Sequence, residues 1–165
     1  MKKNSIQFIG LFICVSLIIL IFLIGINENP VVDNFILIDG KGQTIQEIKV
    51  KEMEVNPGSI SKTTLNLSTI DSGNYNIKIE FIEEEATDLK KYINLLIEAN
   101  EDIIHESSLE EVINGKYEIS FKSKLEKNIP LQLNIIYEIP LDVGNEIKGL
   151  DVKLEIKLIV EKIGL

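Results

Sequence analysis

The sequence of 165 residues contains no arginine and no tryptophan, one histidine, one cysteine and four prolines. Each scarcity closes a line of chemistry. Cys14 lies inside a long apolar run, so the rest of the chain can form neither a disulfide framework nor a thiolate metal site. One imidazole, His105, cannot make a His₂ or His₃ zinc site, and no H-E-x-x-H occurs. A nucleophilic serine usually needs a base and a group that orients it. Only His105 could be a histidine base, and no serine sits in a G-x-S-x-G elbow. Carboxylate pairs of glycosidase spacing arise by chance among 26 acidic residues and carry no weight. No catalytic, cofactor-binding or metal-binding residue is expected.

Positive charge is scarce where it would matter for phosphate. All 26 Asp and Glu lie beyond residue 27, while Lys2 and Lys3, two of the 17 lysines, precede it; the remainder carries a formal charge of −11. A surface that tracks a phosphate backbone needs clustered Lys and Arg. Nucleic acid and anionic headgroups are therefore not expected as partners.

Charge of either sign is missing from Ile6–Ile26, 21 residues broken only by Gln7, two glycines, Cys14 and Ser16. About 20 apolar residues in a helix span a hydrocarbon core of roughly 30 Å. Lys2 and Lys3 before the run, with Glu28 and Asp33 after it, place the N-terminus inside and the remainder outside. The run is longer than a signal h-region and its exit, Leu23-Ile24-Gly25-Ile26-Asn27, has no A-x-A-like pair, so an uncleaved anchor is expected rather than a removed signal. The chain then divides into an anchor or signal segment (1–26), a linker (27–34) and an extracytoplasmic domain (35–165). If the segment is cleaved, the domain is secreted to the cell surface.

Beyond Pro30 the dominant pattern is alternation with period two. Tyr75, Ile77, Ile79 and Phe81 share one face; Leu131, Leu133, Ile135, Tyr137 and Ile139 share another; Val152, Leu154, Ile156, Leu158 and Val160 a third. Strands of this kind bury one face and wet the other, as in antiparallel sheets. Weaker alternation covers 45–50, 62–68, 92–99 and 117–121. Breaks fall at Pro57-Gly58, Asp71–Asn74, Asn100–Asp102 and Asp142–Asn145. Thr87 can cap a turn over Asp88–Tyr92. Ser107 and Ser108 stand at capping-box spacing before Glu110 and Glu111, with Gly115 to stop the helix. Short strands at about ten-residue spacing predict an all-β sandwich or barrel, with these two short helices as crossovers.

Three further features stand out. Phe35-Ile36-Leu37-Ile38 is apolar at successive positions, so either both its faces are covered in the fold or it pairs with something else; it is the candidate assembly strand, adding to a sheet edge in its own domain or in a neighbour's, beside the simpler reading of an ordinary first strand of the same domain. Glu83-Glu84-Glu85 with Asp88 reads as a solvated loop, with weak calcium binding as the alternative. His105 reads as a polar residue at a strand end.

Val55-Asn56-Pro57-Gly58-Ser59-Ile60-Ser61-Lys62-Thr63 resembles the opening motif of the TasA/camelysin family of bacterial surface and biofilm-matrix proteins, with Ser59 where the family has aspartate. Ile136–Glu146, a strand ending in Tyr-x-x-Pro followed by a Gly-Asn turn, resembles that family's closing hairpin, and Gly149 fits the rest. The turn residues carrying the resemblance are Pro57, Gly58, Gly144, Asn145 and Gly149. It implies an antiparallel jelly-roll-like sandwich, outside the cell, that works by interaction with itself or with another surface protein. Some members are described as surface metalloproteases, which is the alternative activity. An accessory sandwich that binds a ligand of an envelope complex is a third reading.

Overall fold

A computed structural model of the chain describes residues 32–38, 43–50, 55–84, 87–116, 118–144, 147, 150 and 152–164. The apolar run Ile6–Ile26, Asn145 and Gly149 lie outside the described residues. Among the described residues no helix is long and apolar enough to cross a membrane.

The elements run β1 (Val32–Ile38), β2 (Gln43–Lys49), β3 (Ile60–Thr69), β4 (Gly73–Glu83), a 3-10 turn (Asp88–Tyr92), β5 (Asn94–Ala99), β6 (Asp102–Ser108), α1 (Leu109–Ile113), β7 (Ile119–Leu125), β8 (Leu131–Glu138) and β9 (Leu154–Ile163). They form two sheets, one ordered β1-β3-β8-β5-β6 and the other β2-β9-β4-β7. The protein is an all-β sandwich. From β2 onward the pairings nest: β2 with β9, β3 with β8, β4 with β7 and β5 with β6, all antiparallel. Pairs β4–β9 and β5–β8 then complete the sheets.

The strongest alternating strands supply the core in the expected phase. Leu133, Ile135 and Tyr137 of β8 and Leu154, Ile156 and Leu158 of β9 are all buried, while Gln132 and Glu138 are exposed. Across the interface the Phe81 and Tyr137 rings meet edge to face at 6.5 Å. The Tyr137 hydroxyl is buried without a hydrogen-bond partner. The Tyr75 hydroxyl, in contrast, donates to the Asp71 carbonyl at 2.8 Å and lies 2.9 Å from Thr69 Oγ1, which ties down the passage from β3 to β4.

Both predicted helical pieces are crossovers between sheets. Thr87 accepts from the Leu89 N–H ahead of the 3-10 turn, and Ser108 accepts from the Glu111 N–H ahead of α1. Gly115 closes α1 with φ of 72°. The break at Asn100-Glu101 is a two-residue hairpin, with φ of 48° and 74°.

Three expectations need correction. β1 runs parallel to β3, so the sandwich is not wholly antiparallel; the chain crosses to the other sheet for β2 and returns, which reverses its direction twice. β1 also begins at Val32, taking in residues assigned to the linker. β6 was not anticipated: it is an edge strand, and the register shift between Ile97 and Glu98 of its partner disrupts any simple alternation.

Candidate functional site

The candidate assembly strand lies in β1, at the edge of the five-stranded sheet and paired with β3. Ile36 (5% exposed) and Ile38 (0%) enter the core, whereas Phe35 (70%) and Leu37 (60%) stand in solvent. The strand is the first of its own domain and adds to the edge of its own sheet, one of the expected arrangements; only one of its faces is covered. An edge strand with exposed Phe and Leu is a template for further pairing.

β1 faces β2 across the open side of the sandwich. A cavity of about 250 Å³ lies there, lined by Asn34 and Ile36 of β1 and by Gln46, Ile48 and Lys49 of β2. The Asn34 side-chain nitrogen is buried with no partner. Sequence reading missed this seam, because which edges adjoin is decided by strands far apart in the chain.

The two segments that carried the family resemblance meet in space. Asn56-Pro57-Gly58-Ser59 forms a tight turn closed by the Ser59 N–H on the Asn56 carbonyl at 2.9 Å. Gly58 has φ of 80°, the conformation that a type II turn requires after proline. Its N–H donates to the Ile139 carbonyl at 2.8 Å, and the Ile139 N–H returns to the Ser59 carbonyl at 3.0 Å. A Cβ at position 58 would stand 2.5 Å from Leu141 Cδ2, so the space over the turn belongs to Leu141. Ser59 accepts from the Asn56 N–H at 2.9 Å, a turn-closing role within reach of a hydroxyl. Gly144 is exposed beyond this corner.

The remaining candidates are held in structural bonds. His105 lies within β6, not at its end, with Nε2 2.8 Å from Ser107 Oγ. Burial pushes its pKa down, and the Glu111 charge opposes that only in part. Burial alone would raise the pKa of Glu83, but bonds from Lys90 Nζ (2.7 Å) and the Thr87 N–H (2.9 Å), with the Lys90 charge, hold the carboxyl below its ordinary range. Glu84 pairs with Lys49 at 3.5 Å and Asp88 with Lys91 at 3.9 Å. Glu83 is thus held in a largely buried ion pair, while Glu84 and Asp88 are exposed with solvated pairs, as in a solvated loop; Glu85 lies outside the described residues. Among the described residues no three His, Cys, Asp or Glu side chains converge as a metal-ligand set.

No family model and no curated protein matches the chain. Among solved structures it is similar to a periplasmic inhibitor of g-type lysozyme from Aeromonas hydrophila, at 8% identity over 80% of this chain and 100% of that one, with a TM-score of 0.37. It is also similar to the pre-peptidase C-terminal domain of a collagenase from Bacillus anthracis, at 13% identity over 79% and 98%, with a TM-score of 0.36. Likenesses at this level carry no argument about the site.

Proposed function

We propose that the chain is a non-enzymatic surface protein of the TasA/camelysin type, tethered to the membrane through Ile6–Ile26, that works by strand addition. The observation that carries this reading is β1: an edge strand, one face in the core and Phe35 and Leu37 free on the other. The sandwich is a jelly roll on this reading, since the nested pairing of β2 to β9 is that of a long hairpin rolled into two sheets. β1 is an addition to those eight strands, and it lies next to the segment that would leave the membrane. Given by one copy to the next, it would supply backbone hydrogen bonds along β3 and two apolar side chains to a neighbour's core. The meeting of Pro57-Gly58 with Ile139–Leu141 supports the resemblance, because two separate motifs serve one corner.

Light scattering and thermal unfolding of residues 30–165 beside residues 40–165 test the proposal. Self-association of the longer chain and a folded, non-associating shorter chain are expected. Monomers in both, with the shorter one less stable, would end the strand-addition reading and leave a tethered single sandwich.

A further inference from the structure

We infer that β1 pairs edge to edge with β1 of a second copy, antiparallel and centred on Phe35, so that the two five-stranded sheets join into one. The contact uses the side of β1 that faces away from β3. It therefore stands whether β1 lies in its own sheet or in a neighbour's, and does not rest on strand donation.

Charge selects the edge. Among the described residues four strands lie on sheet edges: β1 and β6 in one sheet, β2 and β7 in the other. Charged side chains on an edge discourage pairing with another chain. β7 exposes Lys122 and Lys124, and self-pairing about its middle residue would set Lys122 against its own copy. β2 exposes Glu47 and Lys49 beside Ile45. β6 exposes Glu106, and its ladder to β5 shifts register. β1 exposes Phe35 (70%) and Leu37 (60%), with no charge on the described outer face.

The backbone then names the occupant. The Ile70 N–H donates to the Ile38 carbonyl, so Ile38 turns its backbone groups toward β3. Alternate residues of a strand turn theirs to opposite sides. Asn34 and Ile36 follow Ile38, while Asp33, Phe35 and Leu37 turn N–H and C=O to the free edge. Those three positions are symmetric about Phe35, the middle residue of Val32–Ile38. A two-fold axis at Phe35 sets Phe35 against Phe35 of the second copy and Asp33 against Leu37, each pair exchanging two N–H···O bonds. Sliding the pair by two residues leaves one free-edge position of each strand unmatched. The centred contact is isologous, so it closes as a dimer. It also brings the two exposed rings together as a cross-strand aromatic pair, which stabilises a ladder.

The strip is one strand wide, below the area of a standard stable interface. The pair is short-lived in dilute solution, and a covalent trap reads it. The test uses the full chain in detergent, in a Cys14→Ser background, with one cysteine at Phe35→Cys or at Leu37→Cys. Both side chains are exposed, so neither change disturbs the core. Cα atoms of an antiparallel hydrogen-bonded pair lie about 5.5 Å apart, within the span of a disulfide. Leu37 and its copy stand four residues apart along the strands, about 13 Å, outside that span. Under a mild oxidant the 35 variant should form disulfide dimers several-fold faster than the 37 variant. A mixture of Asp33→Cys and Leu37→Cys chains, which keeps Phe35, should form the mixed dimer several-fold faster than either chain crosslinks alone. Equal rates at 35 and 37, or no gain on mixing, overturn the edge pairing. Strand donation survives that outcome if residues 30–165 associate and residues 40–165 do not.

Discussion

β2 carries Ile45, Glu47 and Lys49 on its outer face, opposite Ile159, Lys157 and Glu155 of β9, while β1 carries Phe35 and Leu37 opposite Asn66 and Ser68 of β3. Both are edge strands, they follow one another in the chain, and they flank the same cavity. Charges on an edge discourage pairing with another chain, and exposed apolar side chains invite it. The sandwich thus guards the β2 side of its open seam with two charges beside the exposed Ile45, and leaves the described outer face of β1 without any. The contrast teaches that edge exposure here is selective.

The comparison can be broken first at the core. Ile38→Ala in β1 should cost about 2–5 kcal/mol, like Ile156→Ala in the central strand β9, while Leu37→Ala and Lys157→Ala stay within about 0.5 kcal/mol, read by chemical unfolding. Equal costs for Ile38 and Leu37 would mean that β1 does not occupy its own sheet in solution. A change touching neither edge, Glu83→Gln, should cost about 1–3 kcal/mol by stripping the charge from the bond to Lys90.

The same group sets an acid limit. Its folded pKa lies below the ordinary 4.5, so its contribution is full above about pH 4.5 and is lost as pH falls through the folded value. His105 acts earlier in the same direction: its folded pKa lies below 6.5, and the preference for neutral imidazole is lost as pH falls from 6.5 to that value. Unfolding midpoints measured from pH 7 to pH 3 should decline in these two steps. His105→Gln should remove the upper one.

At the edges themselves association is the readout. Phe35→Lys with Leu37→Glu should leave strand donation in place, because Ile36 and Ile38 are the side chains that enter a core, and abolish only side-by-side pairing at the β1 edge in light scattering, whereas Glu47→Val with Lys49→Val should create such pairing at β2. The smallest effect belongs to Lys49→Ala. Its ion pair with Glu84 is largely solvated, at 79% and 37% exposure, and should be worth less than about 0.5 kcal/mol.

What could be read from the residues followed burial. β4, β8 and β9 are flanked by strands on both sides, with one dry and one wet face, and their alternation fixed both their existence and their phase. Both crossovers were legible from Thr87, Ser108 and Gly115, because caps act over three or four residues. β6 was not legible: Ile103 and Ile104 are adjacent, and Ile103 is 62% exposed on an edge that does not enforce alternation. The parallel partner of β1 could not be read either, since period two reports a face and never a neighbour. Phe35–Ile38 was visible as unusual, but whether one face or two would be covered depended on β3, some 30 residues away.

The unpartnered hydroxyl of Tyr137 gives the molecule a proton that only opening can release. Burial drives that phenol's pKa far above its ordinary 10, while the unfolded chain ionises near it. Above pH 10 the unfolded form gains phenolate and the folded form does not, so stability falls as pH rises. The ring-carbon resonance of Tyr137 should therefore hold its neutral position through alkaline titration and jump only when the two sheets part. A single side chain then reports, without any added label, whether the sandwich is shut.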